Sequence, residues 1–382
     1  IRRQRQMCIR DSRSTEEECW GFIINELKEL APDLPLKWDS DNSGRATQKA
    51  AYGLLSRVAL YAEKWDVAAQ AARDCATAEG NLDLSKNGYA KIFELGINSP
   101  EVLFAVEFKS SVIDHAYDAY VRPSGDTKEL GKQVYSGFVP TSELVDSYEM
   151  AGDGGNFSWE KHGKDPYANR EPRFYATILY NGADWMGRKI ESFVGGKDGY
   201  KAYENAGAAG TTVTGYYLRK YLIDGDKTWV TSGSGQDWIV LRYAEVLLNK
   251  AEALAMENWN KNSAEALQAL NDVRARVGLP ARATADKETF LEYVRHERKV
   301  ELAGEGFRYW DLRRWRLAEK VIDGQNVHGV KISKQSDGSF TYEQVDADGG
   351  HKRIFYDRYY RFAIPLSERS NNSLCTNNDG WI

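Results

Sequence analysis

The strongest constraint on this chain is a layout that occurs twice. In residues 46–79, Ala51, Leu54, Leu55, Val58, Ala59 and Ala62 fall on one stripe at helical spacing. A short turn at Lys64-Trp65-Asp66 leads into the Ala-rich stretch VAAQAARDCATA. The same order returns after Gln236: DWIVLRYAEVLLNKAEALAM predicts a strong helix over 237–256, and NSAEALQALNDVRARVG predicts a second. Gly278 and Pro280 close that second helix as stop signals. Tyr52, Leu55, Ala59 and Trp65 of the first pair correspond to Tyr243, Leu247, Ala251 and Trp259 of the second. Small Ala side chains let two helices cross closely, so both stretches predict packed helix pairs.

Helix, tight turn and helix with Ala at the crossing resembles a tetratricopeptide unit of about 34 residues. CWGFIINELKEL adds an earlier helix with Phe22, Ile23, Leu27 and Leu30 on one face, and EVLFAVEF reads as a strand. TFLEYVRHERKVELAGEG and FRYWDLRRWRLAEKVI continue the helical texture, and past Asp323 the chain reads as β-hairpin and loop. Composition removes other classes. With 51 Lys plus Arg against 56 Asp plus Glu, the net charge of −5 lacks the basic face that duplex binding draws on. No apolar run approaches the roughly 18 residues of a spanning helix. The five His and four Cys include no C-x-x-C pair, which argues against a structural zinc site. The cysteines do not settle a redox compartment.

Between the two helical zones the texture changes. Eighteen of the 33 glycines lie between Gly125 and Gly235, interleaved with aromatic rings. This stretch reads as a long, irregular insert, and long loops on a rigid scaffold are where binding tends to reside. Its Tyr117, Tyr120, Trp159, Trp185 and Trp229, with Trp38 in the loop before the first helix pair, are the candidate ligand-stacking rings. For each ring, packing beneath the loops competes with ligand contact. Trp310 and Trp315, at helical spacing among charges, read as framework.

Charged residues also occupy apolar stripes. Glu245 and Glu252 step with Leu241, Leu248 and Ala255, and Arg298 steps with Val294 and Leu302. Isolated buried charges are unfavourable, so these groups, with Glu301, are expected to pair as ions, Glu245 or Glu252 with Arg298 or a nearby Arg. Two Glu two turns apart on a packed face do not make a glycosidase pair. His296-Glu297 lacks the second His of a zinc helix, with Val300 in its place. Asp39-Ser40-Asp41 begins a calcium-like loop whose twelfth position is Ala50. No nucleophile elbow or phosphate loop occurs, so no catalytic residue, metal or cofactor is expected.

The segment containing Arg242 to Glu245, Asn271, Arg274, Arg276, Gly278, Arg295, Glu297, Arg298, Glu301, Glu305, Gly306, Arg308, Asp311, Arg313, Arg314 and Trp315 resembles the SusD/RagB family. GRATQKAAYGLLSRVALYAEKW resembles that family's N-terminal helix, and the FAIPLSE and NDGW tail its close, with Asp379 where Pro is usual. The resemblance implies a mainly α, SusD-like fold: tetratricopeptide-like helix pairs, a long loop-rich insert and short β-hairpins. It implies non-catalytic glycan capture at the outer-membrane surface, lipid-anchored, with a SusC-like TonB-dependent porin as partner and no nucleic acid. The alternative is a tetratricopeptide-like protein-interaction scaffold that binds no glycan. The expected organisation is a non-native leader over 1–12, a truncated N-terminal region over 13–108, the ligand-binding insert over 109–235 and the C-terminal region over 236–382. The lipid anchor is expected to be missing from this chain, and part of the glycan site with it.

Overall fold

The structure is a computed structural model that describes residues 13–205 and 211–381. The expected leader over 1–12 lies outside the described residues. Helix α1 (Glu16–Leu30) starts at Thr15, whose side chain and that of Glu18 cap each other's backbone. Its buried side centres on Ile24 and Leu27, which meet the core. Phe22, Ile23 and Leu30, expected on that face, are exposed.

Helices α2 (Gln48–Tyr61) and α3 (Trp65–Thr77) form the first pair. Between them the chain reverses through Glu63 in the left-handed region (φ 56°). The second pair is the span α5 (Tyr243–Arg276), broken at Asn258, whose extended backbone (φ −164°, ψ 94°) divides it into two helices. The two pairs share one core in which Ala59, Ala68, Ala69, Ala72, Ala251, Ala255, Ala266 and Ala269 are buried. Alanine at the crossings brings the backbones close. Gly80 serves the same end, since a Cβ there would sit 2.8 Å from both the Cys75 carbonyl and the Tyr243 ring.

Strand β1 (Val102–Val106) pairs antiparallel with β2 (Trp238–Arg242), matching Val102 to Arg242 and Ala105 to Ile239. Here the structure corrects the expected helix over 237–256. Residues 238–242 are strand, because β1 takes their backbone hydrogen bonds and the β-branched Ile239-Val240 suit the pleat. The helix starts at Tyr243, and Leu241 belongs to the sheet. A short helix α4 (Gly88–Leu95), absent from the sequence reading, packs against this sheet through Ile92 and Phe93.

Helix α6 (Lys287–Glu301), capped by Asp286, lies on α5. It ends at Glu301 because Gly304 and Gly306 take positive φ, and α7 (Phe307–Arg314) follows. The hairpin β3 (His328–Lys334) and β4 (Phe340–Asp346) comes next.

The insert leaves from the end of β1 and returns into β2. It consists of short helices, two-residue strand pairs and loops around two small cores of its own. One core joins Tyr148, Tyr167, Phe174 and Tyr216 to Val330 and Ile332 of β3, so the hairpin and the insert fold against each other. No helix of the described residues is long and apolar enough to cross a membrane.

Candidate functional site

The charged residues on apolar stripes resolve into ion pairs inside the scaffold. Glu245 takes a bidentate pair from Arg57 of α2, with both N–O distances 2.6 Å. Glu252 takes one from Arg314 of α7 at 2.5 and 2.7 Å and accepts from the Trp315 indole at 2.7 Å. Arg298 pairs instead with Asp311 at 2.8 Å and donates to the Asn249 side chain. The helix carrying Glu245 and Glu252 is flanked by α2 and α7, so the partners come from those neighbours and not from Arg298.

A larger network surrounds Glu301. Glu101, Glu149, Glu171, Glu297, Glu301 and Glu305 alternate with Arg173, Lys220, Arg242, Arg274, Arg276 and Arg282. Arg242 reaches Glu101 at 2.8 Å, Glu301 at 2.6 Å and Glu305 at 2.7 Å. Arg173, from the insert, reaches Glu171 at 2.6 Å, Glu297 at 2.5 Å and Glu301 at 2.9 Å. Burial alone would push the Glu301 carboxyl up, but Arg276, Arg242 and Arg173 hold it well below the usual carboxylate range. Burial dominates for Lys220, whose ammonium is pulled down to about 8 despite Glu305. Glu149, Glu171, Arg173 and Lys220 belong to the insert, so the network fixes the insert to the helical scaffold. The six carboxylates are neutralised by neighbours in a closed interior, which is framework chemistry.

The candidate rings divide by burial. Trp185 and Trp229, expected to meet ligand, are completely enclosed, and this corrects the sequence reading. They form the two walls around the buried Arg122, whose guanidinium lies 5.2 Å from each ring. Arg122 is held by Asp118 at 2.8 Å, and the Trp185 indole donates to Asp126 at 3.0 Å. Two enclosed rings beside a buried cation give these glycine-rich loops a core, so no ring face is left for a ligand. Trp159 is half-buried and donates to Asp146 at 2.9 Å. Tyr117 donates to the Lys220 carbonyl at 2.9 Å, and burial pushes its phenol up. Trp38 is half-buried in its loop and donates to the Ala46 carbonyl at 2.8 Å.

Tyr120 is different. It is 46% exposed and stacks on Tyr135, also 46% exposed, with centroids 5.1 Å apart and planes 25° from parallel. Phe138, 64% exposed, is tied to the same place because its backbone and that of Gly137 donate to the Tyr120 carbonyl. The helix Tyr117–Val121 and the loop after it thus present three neighbouring rings outward. Tyr135 stands among the rings of the insert but was not expected to meet ligand, and Phe138 was not singled out from sequence. Their alternation with Gly and Pro in YSGFVP was the available signal. Trp310, expected as framework, is also exposed, and its ring meets Phe362 at a steep angle. Among the described residues no group of three or more His, Cys, Asp or Glu is placed to hold a metal ion, and Cys19, Cys75 and Cys375 are free thiols.

A helix-pair scaffold bearing a ring-studded, loop-rich insert, with its charged motif residues locked in the interior, is the architecture of the SusD-like proteins. The chain belongs to the SusD family, whose model matches residues 100–381. A SusD-like protein of Bacteroides ovatus is 25% identical over 358 residues, covering 87% of this chain. The match takes in 58% of that relative's length, so this chain spans little more than half of it. A crystal structure of a SusD-like protein from Bacteroides fragilis superposes with a TM-score of 0.83 at 27% identity, over 97% of this chain and 72% of that one. A SusD-like carbohydrate binding protein from the same species gives 0.81 at 24%, over 97% and 73%.

Proposed function

We propose that this protein captures glycans without chemically altering them, at the outer-membrane surface, and presents them to a SusC-type TonB-dependent porin for import. Lipid anchoring on the outer leaflet belongs to the same reading. The observation that carries it is the outward-facing group of Tyr120, Tyr135 and Phe138 on the insert of a SusD-family chain. Pyranose rings offer apolar C–H faces, and stacking those faces on aromatic rings removes apolar area from water at about 25 cal/mol per Å². A flat, open platform favours exchange over tight retention, as capture followed by transfer requires. The fold is shared with a protein described as carbohydrate binding, which supports the same class of ligand.

Calorimetric titration against neutral hexasaccharides of β-1,3-glucan, β-1,4-glucan, α-1,4-glucan and β-1,4-mannan tests the reading. Tyr135→Ala is expected to weaken the best ligand at least tenfold with an unchanged melting temperature, and reducing-sugar assays to show no release. Wild-type affinity in Tyr120→Ala and Tyr135→Ala alike would remove the platform. Turnover abolished by a single Asp or Glu substitution would replace capture by catalysis.

A further inference from the structure

We propose a second glycan subsite, shaped for one uncharged pyranose unit, in a tyrosine-walled depression between the insert and the β3–β4 hairpin. The proposal rests on reading the protein as a glycan binder, but it uses none of the platform's residues. The depression is shallow and open and offers about 330 Å³, at the small end of the range for ligand pockets. Tyr175 and Tyr180 from the insert and Phe340 and Tyr342 from β4 line it, with Asp165 and Asn181 supplying polar groups.

The rings are held at different angles. Tyr175 and Tyr180 lie 6.0 Å apart at 61°, and the buried Tyr167 backs Tyr180 at 4.6 Å and Tyr342 at 5.7 Å. Tyr175 is fixed, because its hydroxyl donates to the Tyr167 carbonyl at 2.7 Å and accepts from the Arg170 amide at 3.1 Å. The result is two apolar walls belonging to two separate parts of the chain, a geometry that can take a sugar ring by its face and its edge.

The polar groups point to the ligand class. Asn181 is only 6% exposed, and its amide makes no hydrogen bond among the described residues, with Oδ1 fully enclosed and unpartnered. A buried amide without a partner is unfavourable and is ordinarily satisfied by protein, water or ligand. Among the described residues Asp165 forms no ion pair, and the Tyr180 and Tyr342 hydroxyls have no hydrogen-bond partner. Carboxylate and amide oxygens accept hydrogen bonds, phenols donate and accept, and sugar hydroxyls do both. Among the described residues no Lys or Arg lines the depression. A uronate or a sulfated sugar would meet Asp165 with no cation in the lining, and Arg219 acts on the Tyr180 hydroxyl only from outside it, so the subsite favours uncharged units.

The test is titration of the full chain with the same neutral hexasaccharides and with hexagalacturonate, across wild type, Asp165→Ala, Tyr180→Phe and Tyr135→Ala. Asp165 is exposed and unpaired and Tyr180→Phe keeps the ring, so neither change should move the melting temperature by more than about 1 °C. The expected result is at least tenfold weaker binding of the preferred neutral hexasaccharide in Asp165→Ala and about fivefold weaker in Tyr180→Phe. Wild-type affinity in both, with loss in Tyr135→Ala, overturns the subsite and leaves the platform standing. Loss in Asp165→Ala with wild-type affinity in Tyr135→Ala sustains the subsite, and wild-type affinity in Tyr120→Ala as well removes the platform. Hexagalacturonate bound more tightly than every neutral hexasaccharide overturns the selection for uncharged units. A wild-type chain that binds no member of the panel overturns both readings.

Discussion

Glu301 offers the sharpest test of the buried network. Its carboxylate is fully enclosed and faces three guanidiniums, with Arg242 at 2.6 Å, Arg173 at 2.9 Å and Arg276 also in contact. Glu301→Gln keeps the side-chain volume and one acceptor but removes the charge that those arginines share. Stripping one partner from a buried ion pair typically destabilises by about 3–5 kcal/mol, because the opposite charge stays buried and uncompensated. Unfolding entropy of about 2.1 cal/mol/K per residue gives this chain, melting as one unit, about 0.8 kcal/mol/K, so the melting temperature should fall by about 4–6 °C. Scanning calorimetry at pH 7 reads this directly. The exposed pair Lys331–Glu343 supplies the control, and Glu343→Gln should shift the melt by less than about 1 °C. The pH dependence has a definite sign. The folded carboxyl lies below its unfolded value, so its contribution is complete above the unfolded pKa of about 4.5 and is lost as pH falls toward the folded one. The gap between wild type and Glu301→Gln should be flat from pH 5 to 8 and close only under more acid conditions. A variant that melts within 1 °C of wild type at pH 7 would refute the claim that the network holds insert and scaffold together.

Three further outcomes follow from the same packing. Trp229→Ala should lower stability by about 3–5 kcal/mol, since a fully enclosed ring is lost beside Arg122. A normal melt would return that ring to the surface. Glu245→Ala should destabilise more than the double change Glu245→Ala/Arg57→Leu, because the single variant leaves Arg57 without its carboxylate; a double-mutant cycle by denaturant titration checks this, and simple additivity would contradict it. Lys220 gives up its proton at about 8 when folded, below the free lysine value of 10.5. Folding therefore expels a proton between those values, and the Lys220 contribution to stability rises with pH across that window. Lys220→Met should flatten the rise in melting temperature between pH 8 and 10, and an unchanged slope would assign the rise to other groups.

What the sequence determined by itself is local and periodic. The stripe of Ala51, Leu55 and Ala59 and its echo at Leu247 and Ala251 specify helix pairs, because 3.6-residue spacing and small crossing residues need no distant partner to be read. Gly278 and Pro280 end the second pair by equally local rules. The presence of Glu245 and Glu252 on apolar stripes announced buried charge. Their partners were not legible, because Arg57 and Arg314 lie far away along the chain and only the folding of α2 and α7 against α5 selects them. Residues 238–242 mark the same boundary. Their helical periodicity was real, but strand β1, more than 130 residues earlier in the chain, takes their backbone hydrogen bonds and makes them strand. The insert is where sequence reasoning had least purchase. Trp185, Trp229, Tyr120 and Tyr135 sit in similar Gly-rich surroundings, and no period distinguishes them. Tertiary structure separates them because Arg122 needs two ring walls and a closed set of carboxylates once it is buried. That requirement draws the tryptophans inward and leaves Tyr120 and Tyr135 stacked on each other in the solvent.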